Sequence, residues 1–264
     1  MKNKHAFICH GGLGDVYVQL LKIKDLDIKS CDIYYRDQML SHIEDIRILC
    51  ESQSEVEKFD ALKIEQSNEY LDGLKKELEP QYNNVLILDS TLTNISNIRK
   101  ITLPEWTTPY ATEYVTINTG AGDWTVAAID PHNANRRWND GELQSVVEGI
   151  ATKTDLSVIL IGKPMSLPPF DNKKIINESE KNIIEQINII KHAKLNIGFE
   201  GFNLVAAMSF NKKMIVKNNP PNHKFEEKNI RYLDEEAYNN IITLDSFSPR
   251  DFLPTIMNLR KGLL

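Results

Sequence analysis

Short runs of β-branched and apolar residues recur along the whole chain, and most are separated by longer stretches whose apolar residues repeat at helical spacing. Strand-helix alternation of this kind predicts an α/β protein. The strand-like runs are His5–His10, Cys31–Tyr35, Val85–Asp89, Tyr114–Asn118, Thr125–Asp130, Leu156–Ile161, Lys174–Asn177, Leu195–Gly198, Lys213–Lys217 and Ile241–Leu244. They are too many for one sheet of usual size. Parallel neighbours need a helix-sized return that crosses over right-handed, so two parallel sheets wrapped by helices are expected.

The helical stretches carry one-sided apolar stripes. Leu143, Val146, Val147 and Ile150 form one, and Ile183, Ile184, Ile187 and Ile190 another. A first helix should run from Asp15 with Val16, Leu20 and Ile23 inward. A last helix should open at Ser248-Pro249-Arg250-Asp251, where proline takes the first helical position. Residues 37–79 read as further helices, rich in Glu and Lys on the solvated side. Prolines, glycines and small polar residues gather in 103–109 and 119–123, which predicts a domain boundary there: 1–122, then 123–264.

Composition closes off several function classes. The chain has 264 residues, 41% of them apolar, enough to bury a core in each half. Its 31 basic and 37 acidic residues leave a net charge of -6, which argues against nucleic acid as the partner. No window approaches the roughly 18 apolar residues of a membrane span, and the Met1-Lys2-Asn3-Lys4 start lacks a signal-peptide core. A soluble, cytoplasmic protein is expected. Cys9, Cys31 and Cys50 have no zinc-ligand spacing and read as reduced, buried residues.

In a parallel α/β domain, function gathers in loops beyond the carboxyl ends of the strands. The first such loop is His10-Gly11-Gly12-Leu13-Gly14-Asp15, where Gly12 and Gly14 allow close backbone approach and a helix start offers N–H groups to an anion. Asp15 is either a general base facing a ligand or a helix-capping acid. The second loop holds His132, Asn133, Arg136 and Arg137 before Trp138; guanidinium forks suit a diphosphate, while a solvated loop with a packed tryptophan is the plainer reading. The third holds Glu200, Gly201, Phe202 and Asn203 ahead of a small-residue helix, with Glu200 placed for ribose hydroxyls or for the helix dipole. Gly162 and Lys163 end another strand and read as a further wall of the site. Asp25-Leu26-Asp27 reads as a solvated turn, not a metal-binding DxD pair, and His192 as a helix-end cap.

The run GGLGD, the segment PHNANRRW, the strand end ILIGKP and the stretch IIEQINIIKHAKLNIGFEGFNLVAAMSFNKKMIV resemble, in order and context, the heptosyltransferase-like (glycosyltransferase family 9) branch of the GT-B glycosyltransferases. The resemblance covers the first 25 residues and most of 123–217; residues 26–122 match only in general α/β pattern. It implies two Rossmann-like domains facing a cleft, with the acceptor on the first and a nucleotide-diphosphate sugar on the second. The activity implied is a metal-independent, inverting transfer of a hexose or heptose to a glycan or lipopolysaccharide-type hydroxyl, needing no cofactor beyond the donor. That acceptor class extends the expected location to the inner face of the membrane. By resemblance Asp15 is the base and Arg136 contacts the donor diphosphate. The family's Asp-x-Gly-x-x-His loop is altered here: the acid is Glu200, Gly201 follows at once, and Asn203 stands near the histidine's place. Three alternatives remain open: a binding module on the same fold without catalysis, a nucleotide-sugar epimerase, and a transferase acting on DNA bases.

Overall fold

The computed structural model describes residues 4–37, 43–63, 68–89, 101–120, 138, 141–162, 170–199, 201–217, 239–244 and 248–260. The chain divides into two compact units, Met1–Trp106 and Thr107–Leu264. The sequence reading places the boundary after residue 122, yet Tyr114–Asn118 is a central strand of the second sheet, so the division falls earlier. Proline and glycine content marks both flanks of that strand and does not say which side the strand joins.

The first unit carries strands β1 (His5–His10), β2 (Cys31–Asp37), β3 (Val56–Lys63) and β4 (Asn84–Ile87), in the order β3-β2-β1-β4. Every pairing is parallel. Its helices are α1 (Leu13–Asp25), α2 (Ile43–Glu51) and α3 (Asn68–Leu78). Both faces of β1 are covered, as a parallel sheet requires. Ala6 and Ile8 pack with Leu71, Leu74 and Leu78 of α3, while Phe7 and Cys9 on the other face are also fully buried. β3 corrects the expectation of helices throughout 37–79. Its apolar residues Val56, Phe59, Ala61 and Leu62 show no period of two, and its strand character comes from pairing with β2.

The second unit carries β5 (Tyr114–Asn118), β6 (Ser157–Ile161), β7 (Ile175–Asn177), β8 (Leu195–Gly198), β9 (Met214–Lys217) and β10 (Ile241–Leu244). Their order is β10-β9-β8-β5-β6-β7, again all parallel. The helices are α4 (Glu142–Lys153), α5 (Ile183–His192), α6 (Phe202–Ser209) and α7 (Pro249–Arg260). Val146, Val147 and Ile150 of α4 share one core with Val115, Ile117, Val158, Leu160 and Ile197 of the sheet and Phe252 and Ile256 of α7. The expected start of α7 is present: Asp251 N–H donates to Ser248 Oγ, and Ser248 Oγ donates back to Asp251 Oδ2 at 2.7 Å. The expected strand Thr125–Asp130 lies outside the described residues.

All three cysteines are buried and free. Burial pushes their thiols up, Cys31 to about 12, so none is a thiolate at neutral pH.

Candidate active site

Strand order locates the sites before any side chain is considered. In the first unit the chain builds outward through β1, β2 and β3, then returns to place β4 on the other side of β1. The order reverses between β1 and β4, and a crevice opens beyond their carboxyl ends at such a point. Here Gln19 bridges the two strand ends. This fully buried residue of α1 donates from Nε2 to the carbonyls of His10 and Leu88, both at 3.1 Å, and accepts the His10 N–H at Oε1. Its signal in the sequence is a glutamine on the buried stripe Val16, Leu20, Ile23, which the sequence reading passes over.

Beyond His10 the chain turns at Gly11 (φ 92°). A Cβ there would stand 2.6 Å from Asp15 Oδ2 and 2.7 Å from Asp15 Cβ, so glycine is required twice over. Gly12, named from sequence together with Gly14, is extended (φ -79°, ψ -178°) and serves as N-cap of α1; Gly14 lies in the helix's first turn. Asp15 is the third helical residue and its Oδ2 accepts the Gly12 N–H at 2.7 Å. The capping reading of Asp15 is therefore realised. Among the described residues this is the carboxylate's one hydrogen bond, and it leaves Oδ1 available.

In the second unit the order reverses between β5 and β8. The last residue of β5, Asn118, is flanked by Gly198 at the end of β8 and by Gly162 just past the end of β6. A Cβ on Gly198 would meet Asn118 Cβ at 2.8 Å, and one on Gly162 (φ 106°) would meet Asn118 Oδ1 at 2.5 Å. Gly162 is held by Gln186, which accepts its N–H at 3.0 Å. Trp138 spans the two strand ends: its indole N–H donates to the Asn118 carbonyl at 2.8 Å, and its ring meets Phe199 edge-on at 5.5 Å. After Phe199 the chain enters α6 with Gly201 as N-cap, Phe202 first and Asn203 second. Asn203 is 5% exposed, and its Nδ2 has no hydrogen-bond partner among the described residues. On the next strand Lys217 pairs with Glu142, the first residue of α4, at 2.8 Å and lies 6.0 Å from the Phe199 ring.

No family model and no curated protein matches the sequence. Solved structures do match it. The ADP-heptose LPS heptosyltransferase II of E. coli superposes with a TM-score of 0.61 at 11% identity, over 99% of this chain and 100% of that one. A glycosyl transferase family 9 protein of Veillonella parvula DSM 2008 gives 0.58 at 13% identity, over 98% and 89%. A candidate UDP-N-acetylglucosamine 2-epimerase of Listeria monocytogenes gives 0.58 at 10% identity, over 99% and 88%. The chain has the GT-B fold.

Within this GT-B chain the sequence-named residues separate into two groups. Gly12, Gly14 and Asp15 gather at the start of α1; Gly162 directly follows β6, and Gly201, Phe202 and Asn203 form the N-cap and first turn of α6 after β8. His132, Asn133, Arg136, Arg137, Lys163 and Glu200 lie outside the described residues. Four further residues stand at these strand ends that the sequence reading does not assign to a site: Gly11, Gln19, Asn118 and Lys217. Asp25-Leu26-Asp27 is a turn at the end of α1, with Asp27 at φ 52°. His192 Nδ1 lies 2.8 Å from the Asn188 carbonyl, as a helix-end cap should. Tyr110 donates its hydroxyl to Glu178 and packs edge-on against Tyr114 within the second unit. Among the described residues no group of three or more His, Cys, Asp or Glu could hold a metal ion, and no helix is long and apolar enough to cross a membrane.

Proposed function

We propose that the chain is a metal-independent, inverting glycosyltransferase that takes a sugar from a nucleotide-diphosphate donor held by the second unit. Asn203 carries this reading. A buried amide donor without an acceptor costs about 1–3 kcal/mol, and here it stands in the first turn of a helix, where the leading backbone N–H groups have no intrahelical acceptor. The complement to such a donor cluster is an anion. A diphosphate fits, and the E. coli neighbour is named for ADP-heptose.

In this reading Asp15 takes the proton from an acceptor hydroxyl while that oxygen bonds to the anomeric carbon of the donor. The bond from that carbon to the diphosphate breaks on the opposite side, inverting the centre, and the electron pair leaves with the nucleoside diphosphate. Arg136 and Arg137 are assigned to that leaving charge; they stand two positions and one position before the anchored Trp138. Glu200 is assigned to the ribose, with His132, Asn133, Gly162, Lys163, Gly201 and Phe202 lining the donor. The acceptor class is a glycan or lipid-linked sugar, presented at the cytoplasmic face of the membrane. A second reading, a nucleotide-sugar epimerase, is supported by the likeness to the Listeria protein, whose TM-score of 0.58 equals that of the Veillonella protein.

Calorimetric titration with ADP, UDP and their sugars, followed by turnover assays with and without glycan acceptors, separates these readings. Asn203→Ala should weaken nucleoside diphosphate binding about tenfold. Asp15→Asn keeps an oxygen acceptor for the Gly12 N–H, and should abolish transfer while changing the donor Kd less than about threefold. Donor consumed without acceptor supports the epimerase. Diphosphate binding with no turnover leaves a binding module, and unchanged transfer by Asp15→Asn removes the mechanism.

A further inference from the structure

The peptide unit between Gly11 and Gly12 is gripped at both ends. Its carbonyl oxygen accepts a hydrogen bond from the Tyr35 hydroxyl at 2.6 Å, and its N–H donates to Asp15 Oδ2 at 2.7 Å. The two groups belong to one planar trans unit and point in opposite directions, so turning the plane away from one partner loses the other. Tyr35 lies on β2 opposite Cys9 of β1, is fully buried, and stacks on Phe59 with centroids 6.1 Å apart.

A helix cap alone does not call for a buried hydroxyl on the far side of the peptide. Glycine flanks the plane on both sides, so the backbone resists its rotation less than at any other pair of residues. The hydroxyl supplies the resistance. It also draws electron density toward the carbonyl and strengthens the N–H as a donor to the carboxylate.

We propose that Tyr35 is a positioning residue for Asp15, acting through the Gly11–Gly12 peptide to hold Oδ2 and so direct Oδ1 toward the acceptor hydroxyl. The proposal rests on the reading of Asp15 as the base. It adds a residue from another strand, 20 positions away in the chain, to the machinery that orients the carboxylate.

Tyr35→Phe removes the hydroxyl and keeps the ring, its burial and its stacking. In that variant kcat for transfer should fall about tenfold with the donor KM unchanged within about twofold. In a deuterated, 15N-glycine-labelled sample the Gly12 amide proton should move upfield and exchange faster with solvent. Tyr82→Phe is the control: it removes another hydroxyl of the same unit, one that donates to Asp32, and should lower stability while leaving kcat and the Gly12 amide alone. An unchanged Gly12 amide in Tyr35→Phe overturns the relay. A shifted amide with unchanged kcat overturns the positioning role. If the parent protein transfers no sugar, the glycosyltransferase reading fails separately, and the Gly12 amide still decides the relay.

Discussion

Gln19 clasps His10 as a second strand would: its Oε1 accepts the His10 N–H at 3.2 Å and its Nε2 donates to the His10 carbonyl at 3.1 Å. Gln53 does the same to Thr102, at 2.8 and 3.2 Å, and Gln186 to Gly162, at 3.0 and 3.4 Å. Each clasp closes a place where the backbone leaves regular pairing and would otherwise bury unpaired polar groups. Gln19→Leu would strand one N–H and two carbonyls, so unfolding in urea should show a loss of about 3 kcal/mol or more. A loss under about 1 kcal/mol would mean that water replaces the amide without cost.

The two adjacent glycines at the start of α1 should respond very differently to a methyl group. Gly11→Ala meets both a positive φ and the Asp15 side chain at 2.6 Å, and should cost about 2–4 kcal/mol. Gly12→Ala keeps an extended backbone with its nearest contact at 3.6 Å, and should cost about 1 kcal/mol as a poorer N-cap. Thermal midpoints of the two variants, measured side by side, check the order.

Lys217 and Glu142 tie the end of β9 to the start of α4, with side chains 11% and 9% exposed. Removing one partner leaves a mostly buried charge, so Lys217→Met should cost about 3 kcal/mol. Adding Glu142→Leu should cost less than its own single loss, because the carboxylate has already lost its Lys217 partner. Additive losses in the double-mutant cycle would show that each side chain is held by other groups.

Acid should loosen the first unit through Glu55. Burial alone would raise its pKa, but the Lys24 ammonium 2.5 Å away, together with the Glu55 backbone N–H and the Ser54 hydroxyl, outweighs that and holds it below the ordinary value of 4.5. The unfolded chain then takes up the proton more readily than the folded one. The contribution is present above about pH 4.5 and is lost as pH falls through the lowered folded-state pKa. Urea midpoints recorded from pH 7 to 3 should fall less steeply in Glu55→Gln than in the parent protein.

Much of the architecture was legible in local pattern. The strands His5–His10, Tyr114–Asn118, Leu195–Gly198 and Ile241–Leu244 end where the β-branched runs end, and the stripes at 143–150 and 183–190 became α4 and α5. A fully buried parallel strand and an amphipathic helix both write their environment into neighbouring residues. β3 could not be read that way, since Val56–Lys63 is an edge strand whose pairing depends on β2, more than 20 residues earlier. The glycine-rich turn was legible as a turn, but the need for Gly11 over Gly12 was not. That need arises from the Asp15 side chain folding back over the loop.

By itself the sequence determined the α/β class, most strand and helix positions and which loops carry unusual chemistry, because backbone periodicity and capping act over a few residues. Only the tertiary structure decided that Gln19 bridges the ends of β1 and β4, that Asn118 stands between Gly162 and Gly198, and that Tyr35 reaches the peptide holding Asp15. Those relations join residues brought together by strand order, and strand order follows from the burial of whole sheet faces, which no short stretch of chain encodes.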